Sequence, residues 1–532
     1  MCHRRFYSLI LSFVSCVSLY ASAPPTLPST HGLKPLQDHE HLHLEMNVHK
    51  VVGVKLNALG AQRTGQSVFT EQNEFSTMRV SSSQALEQLP LQATLPSSVN
   101  NSLLPSFPPI GDQGQIGSCV AWGSTYYQAS HEIGLLNGFS NKNGMQRVLS
   151  PKWTYDILNG GVDGGLSVLD AYQLLSINGA TSIMNFPYNT NYTAWDMNSQ
   201  DWVSAINNRM APYALIPGLG GSDRQNLTAI KTALANGHVL TFATFIESWV
   251  FTTVKSDPQH LDDNYVGQLA ATYMNGTDGG HFMTIVGYDD NLWIDVNGNG
   301  QVDAGERGAF LIANSWGTFW GNAGFVWISY DAFLAHSAVV GGPNVGRVPA
   351  GIYLNSNVIT AIPKAKNYSP CLISQFSLTQ ALRNQIAIQA GVSNVHQTVP
   401  TTTIADYGLA NQGGALHFNG TSSGVAQSLT FALDLTDLVL STPSATTQRY
   451  YLSISDDAAG NPTQVNSYSL IDLVHNKQIN YGNVPKTYDH ASGSIFLDYD
   501  FSDGIVPTPP PAPAPKPVPP PAPPAPHKKH HH

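Results

Sequence analysis

The sequence predicts an α+β fold in its first half and an antiparallel β-sandwich in its second half. From about residue 95 to 350, a helical pattern near residue 120 is followed by strand-like runs after residue 238. From 351 to 505, short runs of alternating polar and apolar residues are separated by Gly, Asn and Pro turns. At 532 residues the chain is long enough for two or three domains, each with its own core.

The N-terminus predicts a signal peptide over residues 1–23. Arg4 and Arg5 precede the apolar stretch FYSLILSFVSCVSLY, and Ala21-Ser22-Ala23 fits a small-residue cleavage site. A lipoprotein signal that uses Cys16 is an alternative. We expect a secreted, extracellular protein, with periplasmic passage if the source is bacterial, and no other run is long enough to span a bilayer.

Residues 24–94 are interpreted as a pro-segment that is removed from a precursor. The run HEHLHLEMNVHKVVGVKL alternates polar and apolar residues, which places His39, His41 and His43 on one face of a strand. A solvated strand face accounts for these histidines. The alternative hypothesis is a pH-sensitive contact with the domain behind them, because histidine titrates near neutrality.

Helix and strand signals follow one another in the segment 95–350. The run SCVAWGSTYYQASHEIGLLNG predicts a helix that begins near Ser118, a candidate N-cap, and ends at Asn-Gly. The later runs HVLTFATFI, HFMTIVGYDD, GAFLIANSW and GFVWISY predict strands. We therefore expect one helical part and one β part in this domain.

The β-sandwich expected at 351–505 contains no cluster of chemically active residues and is interpreted as an accessory domain. A proline-rich, extended tail follows at 506–532. The chain has 25 Lys and Arg against 35 Asp and Glu, and its net charge is −10. Because no basic block precedes the last six residues, nucleic acid is excluded as a partner.

Signal cleavage would leave two of the four cysteines, Cys119 and Cys371. A disulfide between them is one interpretation. The other is that Cys119 is a nucleophile, since it begins the predicted helix and a helix N-terminus stabilises a thiolate. A partner imidazole is available in His281, which begins an apolar strand, and the next strand carries Asn314 beside Trp316. An Asn carbonyl can accept the imidazole N–H, while Trp shields that bond from water.

The runs DQGQIGSCVAW, GGHFMTIVGY and NSWGTFWG, in this order, resemble the cysteine, histidine and asparagine boxes of the papain-like (C1 family) cysteine peptidases. The resemblance covers roughly residues 95–340 and implies a two-lobed catalytic domain with a helical half and a β half. It implies Cys119 as nucleophile, His281 as base and acid, Asn314 as orienting residue and Trp316 as its cover. It also implies that Gln113 helps to hold the oxyanion.

Further landmarks of the family are partly present. The run VDGG at 162–165 resembles the segment near the substrate backbone, which makes Gly164 and Gly165 candidate substrate-binding residues. The family's usual disulfide cysteine is Ile116 here, and Val120 replaces its aromatic neighbour. We therefore expect a disulfide-free, monomeric catalytic domain, closer to a bacterial exported type than to a lysosomal one.

An insert between the strands of His281 and Asn314 reads DVNGNGQVDAGE and fits the calcium-loop pattern D-x-[DN]-x-[DN]-G-x5-E. Oxygen ligands at alternate positions wrap one hard cation, and a sharp turn at glycine permits this. A polar hairpin with Asn-Gly turns is the alternative. The predicted ligands of a structural Ca²⁺ are Asp295, Asn297, Asn299, Gln301, Asp303 and Glu306.

Three functions compete at this point. The first is an exported peptidase that acts on a protein or peptide substrate and needs no cofactor for catalysis. The second is transglutaminase-like acyl transfer, which often orients the histidine with Asp, so that Asn314 and Gln113 favour the peptidase. The third is a non-catalytic surface-binding protein in which the β-sandwich is the active part.

Overall fold

The fold is given by a computed structural model that describes residues 94–216, 227–274, 279–344, 358–441 and 447–501. The predicted signal peptide, the predicted pro-segment with its three histidines up to residue 93, and the proline-rich tail lie outside the described residues. Within the described ranges, no helix is both long and apolar enough to cross a membrane.

The helix predicted near Ser118 is present, and its middle is π-helical. It consists of α1 (Cys119–Ala121), a π-helix (Trp122–Ala129) and α2 (Ser130–Asn137). It ends at Gly138, which adopts a left-handed φ of 74° that glycine tolerates without strain. The predicted Asn-Gly end is therefore confirmed.

Ser118 precedes this helix without capping it by its side chain. Its hydroxyl lies 2.6 Å from the Tyr188 hydroxyl. The Tyr188 hydroxyl also donates to the Gln113 carbonyl at 2.9 Å. The expectation of a Ser118 side-chain cap is thus wrong, because the serine belongs to a hydrogen-bonded group around the turn before Cys119.

Four more helices follow in the first half, and two of them are capped by residues of the preceding turn. The Ser167 side chain accepts the Asp170 N–H, and the Asn198 side chain accepts the Gln200 N–H. Their bounds are Pro151–Leu158 (α3), Val168–Ile177 (α4), Ser199–Ala205 (α5) and Leu227–Ala235 (α6).

Nine strands of the described chain form the first sheet, in the order β2-β9-β3-β6-β7-β8-β5-β4, with β1 on β6. All pairs are antiparallel except β5 with β8. The bounds are Ser98–Asn100 (β1), Ala214–Ile216 (β2), Leu240–Phe245 (β3), Trp249–Thr253 (β4), Leu269–Met274 (β5), Gly280–Trp293 (β6), Arg307–Ala313 (β7), Phe325–Ser329 (β8) and Val358–Thr360 (β9).

The centre of this sheet is β6, which is buried along most of its length. Its second residue is His281, and it pairs with β7 in a register that sets Thr284 opposite Ala313. Asn314 follows directly after β7. Antiparallel pairing therefore brings the start of β6 and the end of β7 to the same edge of the sheet.

In the second half, the described residues form two antiparallel sheets. One has the order β13-β10-β15-β16 with β17 on β15, and the other has the order β12-β11-β14-β18. The bounds are Leu372–Thr379 (β10), Ile386–Asn394 (β11), Thr402–Ala410 (β12), Ser428–Asp434 (β13), Gln448–Asp456 (β14), Thr463–Asp472 (β15), Lys477–Asn480 (β16), Lys486–Tyr488 (β17) and Ser492–Tyr499 (β18), with helix α7 at Thr436–Ser441.

The chain leaves the first sheet later than the predicted boundary. The predicted boundary at 350 is followed by β9, which pairs with β2 and β3 of the first sheet. The apolar run Val358–Ile359 is buried there, so the chain leaves the first sheet only after Thr360. Buried residues of the helices and of both later sheets also form one continuous hydrophobic cluster.

Aromatic rings fill the contact between the helices and the second half. Trp195 stacks on Phe418 with ring centroids 5.6 Å apart, and Trp202 meets Phe431 edge-on at 4.7 Å. Both tryptophans are 2% exposed. At about 25 cal/mol per Å² of buried apolar area, each ring of this size contributes several kcal/mol to holding the two halves together.

A buried ion pair reinforces the same contact. Arg209 Nη1 lies 2.6 Å from Asp434 Oδ2, and Nη2 lies 3.1 Å from Asp437 Oδ2. The side chains of Arg209 and Asp434 are 5% and 0% exposed. A charge pair buried this deeply is costly to break, because removal of one partner leaves the other charge without compensation.

Candidate active site

The imidazole of His281 is fixed by Asn314. His281 Nε2 lies 2.7 Å from Asn314 Oδ1, which also accepts the Ser315 N–H at 2.7 Å. Because a carbonyl oxygen only accepts, Nε2 carries the hydrogen of this bond and the tautomer of a neutral ring is set. The Trp316 ring lies 4.6 Å from the imidazole, centroid to centroid, and all three side chains are buried.

Cys119 lies beside the same strand. The backbone N–H of Phe282, the residue after His281, hydrogen-bonds its thiol. Close packing continues at Gly123 in the π-helix, where a Cβ would lie 2.5 Å from the Phe282 ring. The first helix therefore holds the cysteine against the strand that carries the histidine.

The Cys119 side chain is 0% exposed. Burial raises the pKa of this thiol to about 12, although three backbone N–H groups, from Phe282, Val120 and Cys119 itself, lower it. The sequence predicts the opposite direction for this pKa, because a helix N-terminus stabilises a thiolate. Desolvation outweighs the short α1 segment here, so burial favours the protonated thiol.

Gln113 is held at both ends of its amide. Its Nε2 donates to the Ile116 carbonyl at 2.9 Å, and its Oε1 accepts from the Ser315 hydroxyl at 2.7 Å. Its backbone N–H donates to the Ser315 carbonyl at 2.8 Å. Ser315 therefore orients Gln113, a role that sequence reasoning missed although the residue adjoins Asn314.

The loop with Gly164 and Gly165 is bonded to the turn before Cys119. Asp163 Oδ1 accepts the Gly117 N–H at 2.8 Å and also the Tyr155 hydroxyl. The Asp163 carboxylate therefore joins the loop of Gly164 and Gly165 to the turn before Cys119. The adjacent Ile116 occupies the position at which the family resemblance implies a disulfide cysteine. Asp163 is a second residue that the sequence did not single out.

Both cysteines among the described residues, Cys119 and Cys371, are free and buried. Cys371 belongs to the second half, where its backbone N–H donates to Thr436 Oγ1 at 2.9 Å. The alternative of a disulfide between the two is therefore wrong. Hydrogen bonds and packing stabilise the region around Cys119 instead.

Comparisons with known proteins find similarity over the first half of the chain. A family model described as papain family cysteine protease matches residues 95–339. Cysteine proteinase 2 of Entamoeba histolytica is 26% identical over 218 residues, which is 41% of this chain. This chain spans 58% of the length of that relative.

Residues 95–339 are thus similar to the papain family of cysteine proteases, and this similarity supports a cysteine-type peptidase.

Solved structures of similar proteins include xylellain, a cysteine protease from Xylella fastidiosa, with 22% identity and a TM-score of 0.32 over 45% of this chain and 81% of that one. Bromelain from Ananas comosus matches with 17% identity and a TM-score of 0.34, over 51% of this chain and 100% of the other.

The predicted calcium loop of the peptidase domain is held by its own hydrogen bonds. Asp303 Oδ2 accepts the side-chain amides of Asn297 and Asn299 at 2.6 and 2.7 Å. The two Glu306 oxygens accept the Val296 N–H and the Trp293 indole N–H, at 2.7 and 2.8 Å.

Asp295 is the most buried carboxylate of this loop besides Glu306. Its Oδ2 lies 2.5 Å from Lys255 Nζ and accepts the Gly300 N–H at 3.0 Å. Gly300 adopts a left-handed φ of 73°, as the loop pattern requires, while Gln301 donates its N–H to Asn299. Over the described ranges, no group of three or more His, Cys, Asp or Glu side chains is placed to hold a metal ion.

Proposed function

We propose that the protein is an exported cysteine peptidase that hydrolyses peptide bonds through an acyl-enzyme on Cys119. The observation that carries this proposal is the 2.7 Å bond between His281 Nε2 and Asn314 Oδ1, made on the strand against which Cys119 packs. This bond occupies Nε2, so Nδ1 is the ring nitrogen that exchanges a proton with the thiol.

In the proposed reaction, His281 takes the thiol proton as Cys119 Sγ attacks the peptide carbonyl. The Cys119 backbone N–H and the Gln113 amide stabilise the oxyanion, and loss of one such donor typically costs about 10²–10³ in rate. His281 then protonates the leaving amine, the C–N bond breaks, and an acyl-thioester remains. A water molecule, deprotonated by His281, hydrolyses the thioester and restores the thiol.

Because Cys119 is buried, His281 is proposed to accept its thiol proton. Burial raises the pKa of the Cys119 thiol and so opposes thiolate formation, which means that the thiol needs a base, and His281 is the base proposed. Trp316 over the imidazole and Ser315 on Gln113 keep the acceptor and the oxyanion donor in place. Gly164 and Gly165 are proposed to pair with the substrate backbone, since Asp163 ties their loop to the Cys119 turn.

A peptidyl chloromethyl ketone tests this function, because its peptide part delivers the alkylating carbon to a substrate cleft. Mass spectrometry should find the label on Cys119 and not on the buried Cys371, which is an internal control. His281→Ala should lose labelling, and Cys119→Ala should lose hydrolysis of fluorogenic peptides. Equal, slow labelling of both cysteines would instead support a non-catalytic binding protein.

Acyl transfer is distinguished from hydrolysis in the same assay. When a primary amine is added at a concentration far below that of water, a peptidase should release the free acid as its main product. A transglutaminase-like enzyme would yield the amide instead. The hydrogen bond of His281 to Asn314 supports hydrolysis, because transglutaminase-like proteins often orient this histidine with Asp.

The precursor and its location are part of the proposal. We propose that residues 1–23 direct export, that 24–94 are removed from a zymogen, and that the secreted enzyme, including the accessory half at 351–505, acts as a monomer on protein or peptide substrates. Sequencing the N-terminus of the protein recovered from the medium tests the first two points. An N-terminus at Met1 in that fraction would contradict both.

Calcium binding at 295–306 is proposed as a structural feature. Asp295 Oδ1 is buried with no hydrogen-bond partner in the described part of the chain, which suits an oxygen that ligates a cation. Calcium should raise the melting temperature, and Asp295→Ala should remove this effect. Lys255→Met should strengthen it, because the Lys255 ammonium competes for the same carboxylate. Melting that is unchanged by calcium and by a chelator in all three proteins would refute the proposal.

A further inference from the structure

Both proposed oxyanion donors lie at the ends of one turn, which runs from Gln113 to Cys119. Inside this turn the Ile116 carbonyl accepts the Gln113 side-chain amide at 2.9 Å and the Ser118 N–H at 2.7 Å. These bonds close the turn on itself. The turn is irregular chain, which holds functional groups less precisely than a helix or a strand unless other residues support it.

A side chain from outside the turn connects its two ends. Tyr188 follows α4 in the chain, and its hydroxyl donates to the Gln113 carbonyl at 2.9 Å. The same hydroxyl lies 2.6 Å from the Ser118 hydroxyl. Because the single Tyr188 hydrogen is used on the carbonyl, Ser118 donates the second bond. Tyr188 thus bridges the residue that supplies one proposed oxyanion donor and the residue directly before Cys119, which supplies the other.

The ring of Tyr188 is held by the first helix. It meets Trp122, the first residue of the π-helix, edge-on with ring centroids 4.9 Å apart, and Trp122 is buried. Desolvation raises the pKa of Tyr188 to about 12, so the hydroxyl keeps its hydrogen over the pH range in which a peptidase is assayed. The bridge therefore has a fixed position and a permanent donor.

The Gln113 side-chain amide has one hydrogen left for an oxyanion. Its nitrogen carries two hydrogens, and the Ile116 carbonyl accepts one of them. Its oxygen accepts the Ser315 hydroxyl at 2.7 Å. Ser315 therefore orients the end of this side chain, while Tyr188 holds the backbone from which the side chain starts.

We propose that Tyr188 is a positioning residue for stabilisation of the oxyanion. Its hydroxyl holds Gln113 and Ser118 at a fixed separation, so that the amide of one and the backbone N–H that follows the other bind the same oxygen. This inference rests on the proposed function. In it Tyr188 acts through the two donors and not on the substrate, so its effect belongs to the step in which charge develops on the carbonyl oxygen.

Tyr188→Phe tests this role, because it removes the hydroxyl and keeps the ring that packs on Trp122. With the full-length protein and a fluorogenic peptide, kcat should fall about tenfold, while KM stays within about twofold. Both donors remain and are only displaced, so the loss should be smaller than that of a deleted donor. The rate is expressed per Cys119 titrated by the peptidyl chloromethyl ketone. A merely structural role would lower the titrated fraction and leave kcat per titrated site unchanged.

Gln113→Ala provides the second arm of the experiment. A residue that acts through the Gln113 amide has less effect once that amide is absent, so Tyr188→Phe should reduce kcat by less than about threefold in the Gln113→Ala background. An equal reduction in both backgrounds would overturn the inference. An unchanged kcat per titrated site in Tyr188→Phe alone would also overturn it.

Tyr468→Phe is the matched control in the second half of the chain. The buried Tyr468 hydroxyl also donates to a backbone carbonyl, that of Tyr450, at 3.1 Å. This variant should keep the wild-type kcat and KM, and a loss equal to that of Tyr188→Phe would count against a specific role of Tyr188. A wild type that cleaves no peptide would instead refute the proposed function, and the inference with it.

Discussion

Asp406 is a buried carboxylate at the contact between α4 and β12, and Asp406→Asn should remove part of the pH dependence of unfolding. Its Oδ1 accepts the Asn178 amide at 2.6 Å and the Leu409 N–H at 3.3 Å, while Oδ2 has no partner among the described residues. Burial raises the pKa of Asp406 to about 6, although these hydrogen bonds oppose the change.

Asp406 stabilises the folded state more at low pH than at neutral pH. Between pH 4 and pH 6 the folded chain keeps a proton on Asp406 that the unfolded chain has lost, so this group favours the folded state most at low pH. Its contribution falls as the pH rises through this window and stays low above pH 6. Because each tenfold change in proton affinity corresponds to about 1.4 kcal/mol, the ionised carboxylate costs about 3 kcal/mol at neutral pH.

Thermal unfolding of wild type and Asp406→Asn at pH 4.5 and 7.5 measures this cost. The variant should gain stability relative to the wild type at the higher pH. The change in the difference should be about 2 kcal/mol, because part of the cost is already present at pH 4.5, and this corresponds to roughly 4–8 °C in Tm. Asp489→Asn, at an exposed position in the same half, should follow the wild type. A difference between Asp406→Asn and wild type that is equal at both pH values would refute the reasoning.

Three further substitutions test neighbouring contacts. Asp163→Ala removes the acceptor of the Gly117 N–H and should lower kcat/KM about tenfold with little change in Tm, whereas an unchanged rate would contradict a positioning role. Gly414→Ala introduces a Cβ 2.2 Å from a backbone oxygen, at a residue whose φ is left-handed, and should lower the free energy of unfolding by more than about 2 kcal/mol. An unchanged free energy of urea unfolding would be inconsistent with the close approach. Arg209→Met should cost about 3–5 kcal/mol at pH 7, measured in the same way. This loss should shrink in strong acid, where Asp434 is protonated despite its lowered pKa, and a pH-independent loss would contradict the ion pair.

Local signals in the sequence were sufficient for the elements that carry the proposed chemistry. The helix that begins at Cys119 and ends before Gly138 follows from apolar spacing and an Asn-Gly end. The strand of His281 follows from an unbroken apolar run behind two glycines. These features depend on residues close together in the chain, so the amino-acid sequence alone is enough to predict them.

The contacts between distant segments could not be predicted in this way. Asp163 is one aspartate among many in the sequence, and only the fold brings it to Gly117. The raised pKa of Cys119 has the same origin, because desolvation depends on every group around the thiol and not on the helix that carries it. The position of β9 in the first sheet is likewise decided by long-range pairing.

The order in which the chain is synthesised matters for the aromatic contact between the halves. Trp202 finds its partner Phe431 about 230 residues later, which is roughly 10–50 s of translation at 5–20 residues per second. During that interval the helical part presents uncovered tryptophans to its surroundings. Such an uncovered apolar surface is prone to aggregation until the second half has folded against it.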